Sequence, residues 1–494
     1  MLSNLKKIFV DNNYFFIILF LSIIFALTTQ QFLLFKGNIA VLIHALEIFN
    51  DNKLQNDWIA NQTDHIPLFT YFNYILIKFF SVKILYFIHF TLLSFCALFL
   101  FLICRYIYPK LFRLNSIIIW FAIFIFIFHE NSFFSGLAGQ SIIDAGYQPA
   151  SYGVLFFLGI YFFLNDKNFL SVFFICLAAS FHPTYIMHSG FLILGFLTYS
   201  FSLKRYSDLF KILLYFLILI LPITIFVLVN FLNLDKDITY LGQEILMKRI
   251  PHHADILYWF SYKDIISLFT FLIALILIKN KKKLFIPLGI FGLCSIILSS
   301  IQYFLQINSL ALTFPWRSSV ILMPMSSMVI ISHLIDKIKD TFLNKKKTIY
   351  SIFFIISIFF GVKSHILENL NSNFKEKIFL SNKIKEYYNN IDSILVPTDT
   401  MSIRLNTGLP IFINYKHHPF RHDEIIDWNI RLNLANDFYN AENFSIQKQV
   451  LDKILKLESV SHVIFKKSQT HPKCENLIDD KNYILLDLSS CYKN

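Results

Sequence analysis

The polar residues of this 494-residue sequence gather in short stretches between long apolar runs, and those stretches hold the groups that can do chemistry. The first carries Glu47, Asp51, Asp57, Trp58, Asp64 and His65. A carboxylate there can take a proton from a hydroxyl, or hold a divalent cation beside a phosphate. Trp58 can stack on a sugar face or anchor among lipid headgroups. Solvated loop acids with an interfacial tryptophan would give the same pattern.

Further along, Phe181-His182-Pro183-Thr184 is followed by His188. His182 stands where an apolar run meets a proline, and polar groups at membrane depth are costly unless they face a partner or water. The stretch from Asp235 to Asp255 contains Lys248, Arg249, His252 and His253. Two adjacent cations with paired histidines can grip a phosphate, or contact headgroups. Phe314-Pro315-Trp316-Arg317 opens another apolar run; a guanidinium there can clamp a phosphate or snorkel. Gly136 to Pro149 has glycines that allow tight backbone, which suits either a cover over a substrate or a plain connector. No Gly-x-Ser-x-Gly, His-Glu-x-x-His or Walker pattern is present, and no Cys/His spacing suggests zinc.

The elements that must position these groups follow from composition. Hydrophobic residues make up 56% of the chain and charged residues 15%, too apolar for a soluble protein. The sequence therefore predicts a polytopic α-helical membrane protein. Apolar runs at 14–35, 84–104, 114–129, 150–164, 168–184, 187–203, 210–233, 264–279, 284–305, 317–336 and 348–363 give about 11 spans. The stretch 66–80 is short, opens with Pro67 and contains Asn73 and Lys78, and is expected to lie along the interface. The net charge is +12, but the basic residues sit in short runs between apolar stretches, as topology signals do; nucleic acid is not an expected partner. The positive-inside rule then places the N-terminus in the cytoplasm and the C-terminus in the periplasm of a bacterial inner membrane. The transmembrane helical domain spans 1–370, with outer loops at 36–83, 130–149, 234–263 and 306–316.

Residues 375–494 read as a small soluble α/β extracytoplasmic domain. Strand-like runs occur at Ser393–Pro397, Pro410–Asn414, Ser461–Phe465 and Tyr483–Leu488, with helix-like stretches at 423–438 and 445–457. Cys96, Cys104, Cys176 and Cys294 read as packing residues; Cys474 and Cys491 can pair in an oxidising compartment.

One early span, a large acidic outer loop containing Asn56-Asp57-Trp58, a membrane-hugging segment, many spans and an outer C-terminal domain together resemble the C-type glycosyltransferase superfamily. Phe181-His182-Pro183-Thr184-Tyr185 and a tail with Arg404, Thr407-Gly408, Lys416, Pro419 and Asp427-Trp428-Asn-Ile-Arg431 also look like an uncharacterised group of related bacterial multi-pass proteins. The resemblance implies transfer of a sugar from a polyprenyl-phosphate donor on the outer leaflet, and a possible divalent metal ion. It implies Asp57 as the base, although superfamily members often carry an adjacent acidic pair in that loop and this chain does not. Arg317, Lys248 and Arg249 would hold phosphate, Trp58 and Trp316 the sugar, and His182 would line the cavity. A polysaccharide polymerase or ligase, a transporter or flippase, and a non-catalytic envelope protein share the same topology.

Overall fold

The computed structural model describes residues 12–30, 42–49, 54–130, 134–144, 146–232, 234–338, 347–369, 384, 392–400, 403–467, 476–479 and 483–488. Its residues group into two compact units. One comprises Met1–Leu34, Lys83–Phe226 and Ile250–Asn369; the other comprises Phe35–Val82, Val227–Arg249 and Leu370–Asn494.

The first unit is helical. Among the described residues, four stretches are long and apolar enough to cross a membrane: Ile84–Ile107, Tyr206–Phe231, Lys282–Leu305 and Asn308–Lys337. Tyr14–Thr29, Leu114–His129, Pro149–Leu164, Asn168–Phe181 and Thr348–Lys363 are apolar but shorter. Eleven full-length spans are therefore not what the helices supply. Hydropathy runs on through backbone breaks that end a helix. Pro149 opens a 3-10 turn that occupies the start of one predicted span, and the Asn168–Phe181 helix stops before His182-Pro183.

Small residues let these helices approach closely. A Cβ added at Gly195 would stand 2.6 Å from the Pro287 backbone, which explains how Tyr185–Ser202 packs along Lys282–Leu305. The Tyr262–Ile278 helix begins with a capping box between Ser261 and Asp264. Asp264 also accepts from the Ala138 amide at 3.0 Å, while Leu137 N donates to Ser319 Oγ at 2.8 Å. The glycine-containing stretch after residue 136 is thus pinned to two helix starts. Away from these, Asp166 pairs with Lys283 at 2.7 Å and Arg205 at 3.3 Å, drawing together three loops, at Lys167, at Lys204-Arg205 and at Lys281 to Lys283, that the positive-inside rule expects in the cytoplasm. Cys96, Cys104 and Cys176 are buried packing residues; Cys474 and Cys491 lie outside the described residues.

The second unit holds a four-stranded sheet among the described residues: β1 Ser393–Leu395, β2 Val460–Lys466, β3 Asn476–Asp479 and β4 Tyr483–Asp487, in the order β1-β2-β4-β3. β1 and β2 are parallel, and β4 runs antiparallel to both β2 and β3. A parallel pair needs a long crossover, which the helices His422–Tyr439 and Phe444–Leu457 supply. Asn443 caps the second by accepting from Ile446 N at 3.0 Å. Of the predicted strands, Pro410–Asn414 makes only a bridge from Ile411 to Ile394. β3 was not legible in the sequence because it lacks an alternating apolar pattern.

Two further segments belong to this unit. Pro67–Phe80 is a 14-residue helix, about 21 Å long and short of the ~30 Å hydrocarbon core. It buries Phe69, Thr70, Asn73 and Ile77 and exposes Tyr71, Ile75, Phe79 and Phe80. Lys236–Arg249 packs on His422–Tyr439. Gly242 permits this contact, since a Cβ there would lie 2.7 Å from His422 Cα.

Candidate functional site

Within the helical unit, a turn and two helix ends converge on Arg317. The Asn168–Phe181 helix ends at His182, and Tyr185–Ser202 begins three residues later. Phe314 takes a left-handed backbone conformation (φ 53°), after which Pro315–Ser318 forms a 3-10 turn leading into Ser319–Lys337. Proline at the first position fixes φ for that turn, and Ser295 Oγ donates to the Pro315 carbonyl at 2.5 Å.

This turn delivers a half-buried guanidinium. Arg317 Nη1 donates to Thr184 Oγ1 at 3.2 Å, Thr184 Oγ1 lies 3.0 Å from His182 Nδ1, and the Phe314 ring lies 5.1 Å from the guanidinium. Among the described residues no carboxylate pairs with Arg317. His188 is fully buried on the same helix start; its Nδ1 bonds Ser318 Oγ at 2.9 Å, and its Nε2 has no partner among the described residues. An unpaired cation in apolar surroundings is costly, and an unsatisfied buried ring nitrogen adds a further, smaller cost. Together they mark a place suited to an anionic, hydrogen-bonding ligand. The expected pair His182 and Arg317 is brought together, through Thr184. Ser318 had no sequence signal beyond being a polar residue at the start of an apolar run. Trp316, expected to meet a sugar, is buried instead; its indole N–H donates to His253 O at 2.9 Å and its ring lies 4.9 Å from Trp259.

Asp57 and Trp58 lie in the other unit, and both are occupied. Asp57 is fully buried. Its Oδ1 accepts from Ala60 N at 3.1 Å; its Oδ2 accepts from Arg404 Nε at 2.5 Å and Ile411 N at 3.0 Å. Arg404 is equally buried and continues the chain, with Nη1 2.7 Å from His417 Nδ1. Burial and the adjacent Arg404 hold the His417 imidazole far below its ordinary pKa, so it stays neutral and accepts. Asn414 Oδ1 accepts from His417 N at 3.1 Å, and Trp428 Nε1 donates to His417 O at 2.8 Å. A carboxylate with three donors on it and no exposure is built as an anchor rather than a base. It ties the first polar stretch to the C-terminal residues. Trp58 lies under the Arg431 guanidinium at 4.8 Å, and Arg431 Nη1 donates to Glu458 at 2.6 Å.

Lys248 and Arg249, expected to act side by side, diverge: Lys248 is exposed and Arg249 buried. Glu47 lies on a short helix, Ile43–Phe49, and Asp51 lies outside the described residues. Among the described residues no three His, Cys, Asp or Glu side chains gather as a metal site.

Residues 378–435 match a domain of unknown function, DUF6798. The match includes Arg404, Asn414, His417, Trp428 and Arg431, the residues that hold Asp57 and Trp58. No curated protein matches the chain.

Proposed function

We propose that the protein is a multi-pass inner-membrane protein whose helical unit binds the phosphate of a polyprenyl-linked sugar, and that it transfers that sugar as a C-type glycosyltransferase does. The observation that carries this reading is the Arg317 guanidinium, half-buried among apolar helices and, among the described residues, without a carboxylate partner. A lipid phosphate supplies the missing negative charge, and its prenyl chain remains in the bilayer. As the bond from the sugar's anomeric carbon to phosphate breaks and an acceptor hydroxyl oxygen bonds to that carbon, losing its proton to solvent, charge accumulates on the departing phosphate oxygens, where a fixed guanidinium stabilises it. His182 and His188 line the same place and can exchange hydrogen bonds with the ligand. Asp57 has the role of an anchor within the C-terminal unit in this reading.

The proposed topology has about eleven crossings, counting the five shorter helices together with Tyr185–Ser202 and Tyr262–Ile278, with the N-terminus cytoplasmic, the C-terminus periplasmic and Pro67–Phe80 on the outer leaflet. It is supported by Asp166, Lys283 and Arg205 meeting at loops assigned to the cytoplasm. His182 and Arg317 lie at the opposite end of the Tyr185–Ser202 helix, about 27 Å from Ser202 along its axis. A second reading, movement of the lipid without bond cleavage, draws on the saturation of Asp57.

The test uses the full chain in liposomes with a labelled polyprenyl-phosphate sugar. Arg317→Gln is expected to weaken lipid binding about tenfold or more, the scale of a charge-assisted bond to phosphate. The thermal midpoint should hold or rise, because an uncompensated charge has been removed. Unchanged binding would exclude Arg317 from the site. Release of polyprenyl phosphate by the wild-type chain supports transfer; intact lipid appearing in the opposite leaflet supports the second reading.

A further inference from the structure

The C-terminal unit contains a separate group of basic side chains that this function does not use. Arg249, at the end of the Lys236–Arg249 helix, is buried. Its Nε donates to Tyr415 O at 3.1 Å and its Nη2 to Lys416 O at 3.5 Å, with the guanidinium 3.9 Å over the Tyr415 ring. The remaining Nη1 has no partner among the described residues. These contacts fix the guanidinium beside the exposed Lys416 side chain. His418 follows, with Nδ1 3.1 Å from its neighbour's carbonyl at Pro419, so Nε2 is the ring nitrogen not used in that bond. The Phe420 ring stands between His418, at 4.9 Å, and His65, at 4.3 Å.

These four basic groups come from three separate parts of the chain. Among the described residues no carboxylate forms an ion pair with any of them. The acids on the neighbouring elements make other contacts, and of these Asp64 also acts on His65 through space. Glu424 accepts from Thr63 N at 2.9 Å, Asp423 pairs with Arg421 at 2.9 Å, and Asp64 accepts from Ile66 N at 2.9 Å. Two cations held close together, Arg249 and Lys416, disfavour the fold unless an anion joins them.

We propose that Arg249, Lys416, His418 and His65 form a second anion site, which takes the phosphate group of a phosphate monoester. A fixed guanidinium offers a directional donor, the ammonium a mobile charge, and the imidazoles hydrogen bonds, a combination suited to a phosphate dianion. The electrostatics of the ligand-free site agree. Burial, reinforced by Arg249 and by His65, pushes the His418 imidazole down to about 3; burial and Arg249 lower the Lys416 ammonium as well. A bound dianion reverses these charge terms.

The experiment uses the full chain carrying Arg317→Gln, so that the helical-unit site is silenced, in nanodiscs of neutral lipid. Calorimetric titration with inorganic phosphate and with glucose 1-phosphate should show saturable binding. Lys416→Glu changes an exposed residue and leaves packing intact; it should weaken binding about tenfold or more, as should Arg249→Gln, while Lys416→Arg retains it. Repeating the titration in nanodiscs that contain phosphatidic acid, a lipid phosphate monoester, separates two sources of the same chemistry: competition assigns the phosphate to a lipid headgroup, and undiminished binding assigns it to a soluble ester. Absence of binding in the Arg317→Gln protein, or binding as tight in Lys416→Glu, overturns the proposal.

Discussion

Two arginines set the contrast at the residue scale. Arg404 has a buried carboxylate, a histidine nitrogen and a carbonyl on its guanidinium, whereas among the described residues the Arg317 guanidinium donates to one threonine hydroxyl. Removing one member of a buried ion pair leaves the other charge stranded, at a cost of about 3–5 kcal/mol. Asp57→Asn is accordingly expected to destabilise the C-terminal unit by that order, seen as a lower thermal midpoint and faster proteolysis between Ser393 and Tyr439. If Asp57→Asn instead leaves stability unchanged and abolishes sugar transfer, Asp57 is a base and the anchoring role fails. Arg317→Gln should behave oppositely, losing ligand without losing fold.

Elements meet in this protein where a side chain is missing. The Lys236–Arg249 helix reaches His422–Tyr439 because Gly242 has no Cβ, and the atoms it would strike include His422 backbone, which cannot swing away. Gly242→Ala gains up to about 1 kcal/mol of helix propensity but must part the two helices, at a cost of about 1–3 kcal/mol. The net expectation is destabilisation, with faster hydrogen exchange along 422–439. Because Arg249 ends the displaced helix, phosphate binding at Lys416 should weaken in the same variant. Protection and binding both unchanged would mean that this helix is not held by the close contact.

Across the whole molecule, ionisation makes the C-terminal unit sensitive to acid. Burial holds His65 at about 4 and His418 at about 3 when folded, against 6.5 for an unfolded histidine. Between those values the unfolded chain binds protons that the folded one refuses, so stability is full above about pH 6.5 and falls as pH drops. Each such histidine contributes at most about 1.4 kcal/mol per pH unit within that window. Urea unfolding of the full chain, followed by hydrogen exchange in 403–467, should show midpoints falling steadily from pH 7 to pH 5. A flat profile would mean that the imidazoles are not buried neutral. Saturating phosphate should reduce the slope, because a bound dianion favours the protonated rings.

The sequence by itself determined the apolar helical class, the strand and helix positions of most of the C-terminal unit, and the basic loops that meet at Asp166. These follow from local composition and periodicity, which act over a few residues and survive in any arrangement of the chain. It also singled out His182 and Arg317, because a charge at the edge of an apolar run is costly wherever it stands. Only the tertiary structure decided what each polar group faces. Asp57 and Arg404 are separated by more than three hundred residues, and nothing near either one announces the pair. Lys248 and Arg249 are neighbours in sequence, yet a helix turns successive side chains by about 100° and sends one to solvent and the other inward. Whether a carboxylate is a base or an anchor depends on how many donors reach it, and those donors are backbone amides and a guanidinium that folding alone brings within hydrogen-bond distance.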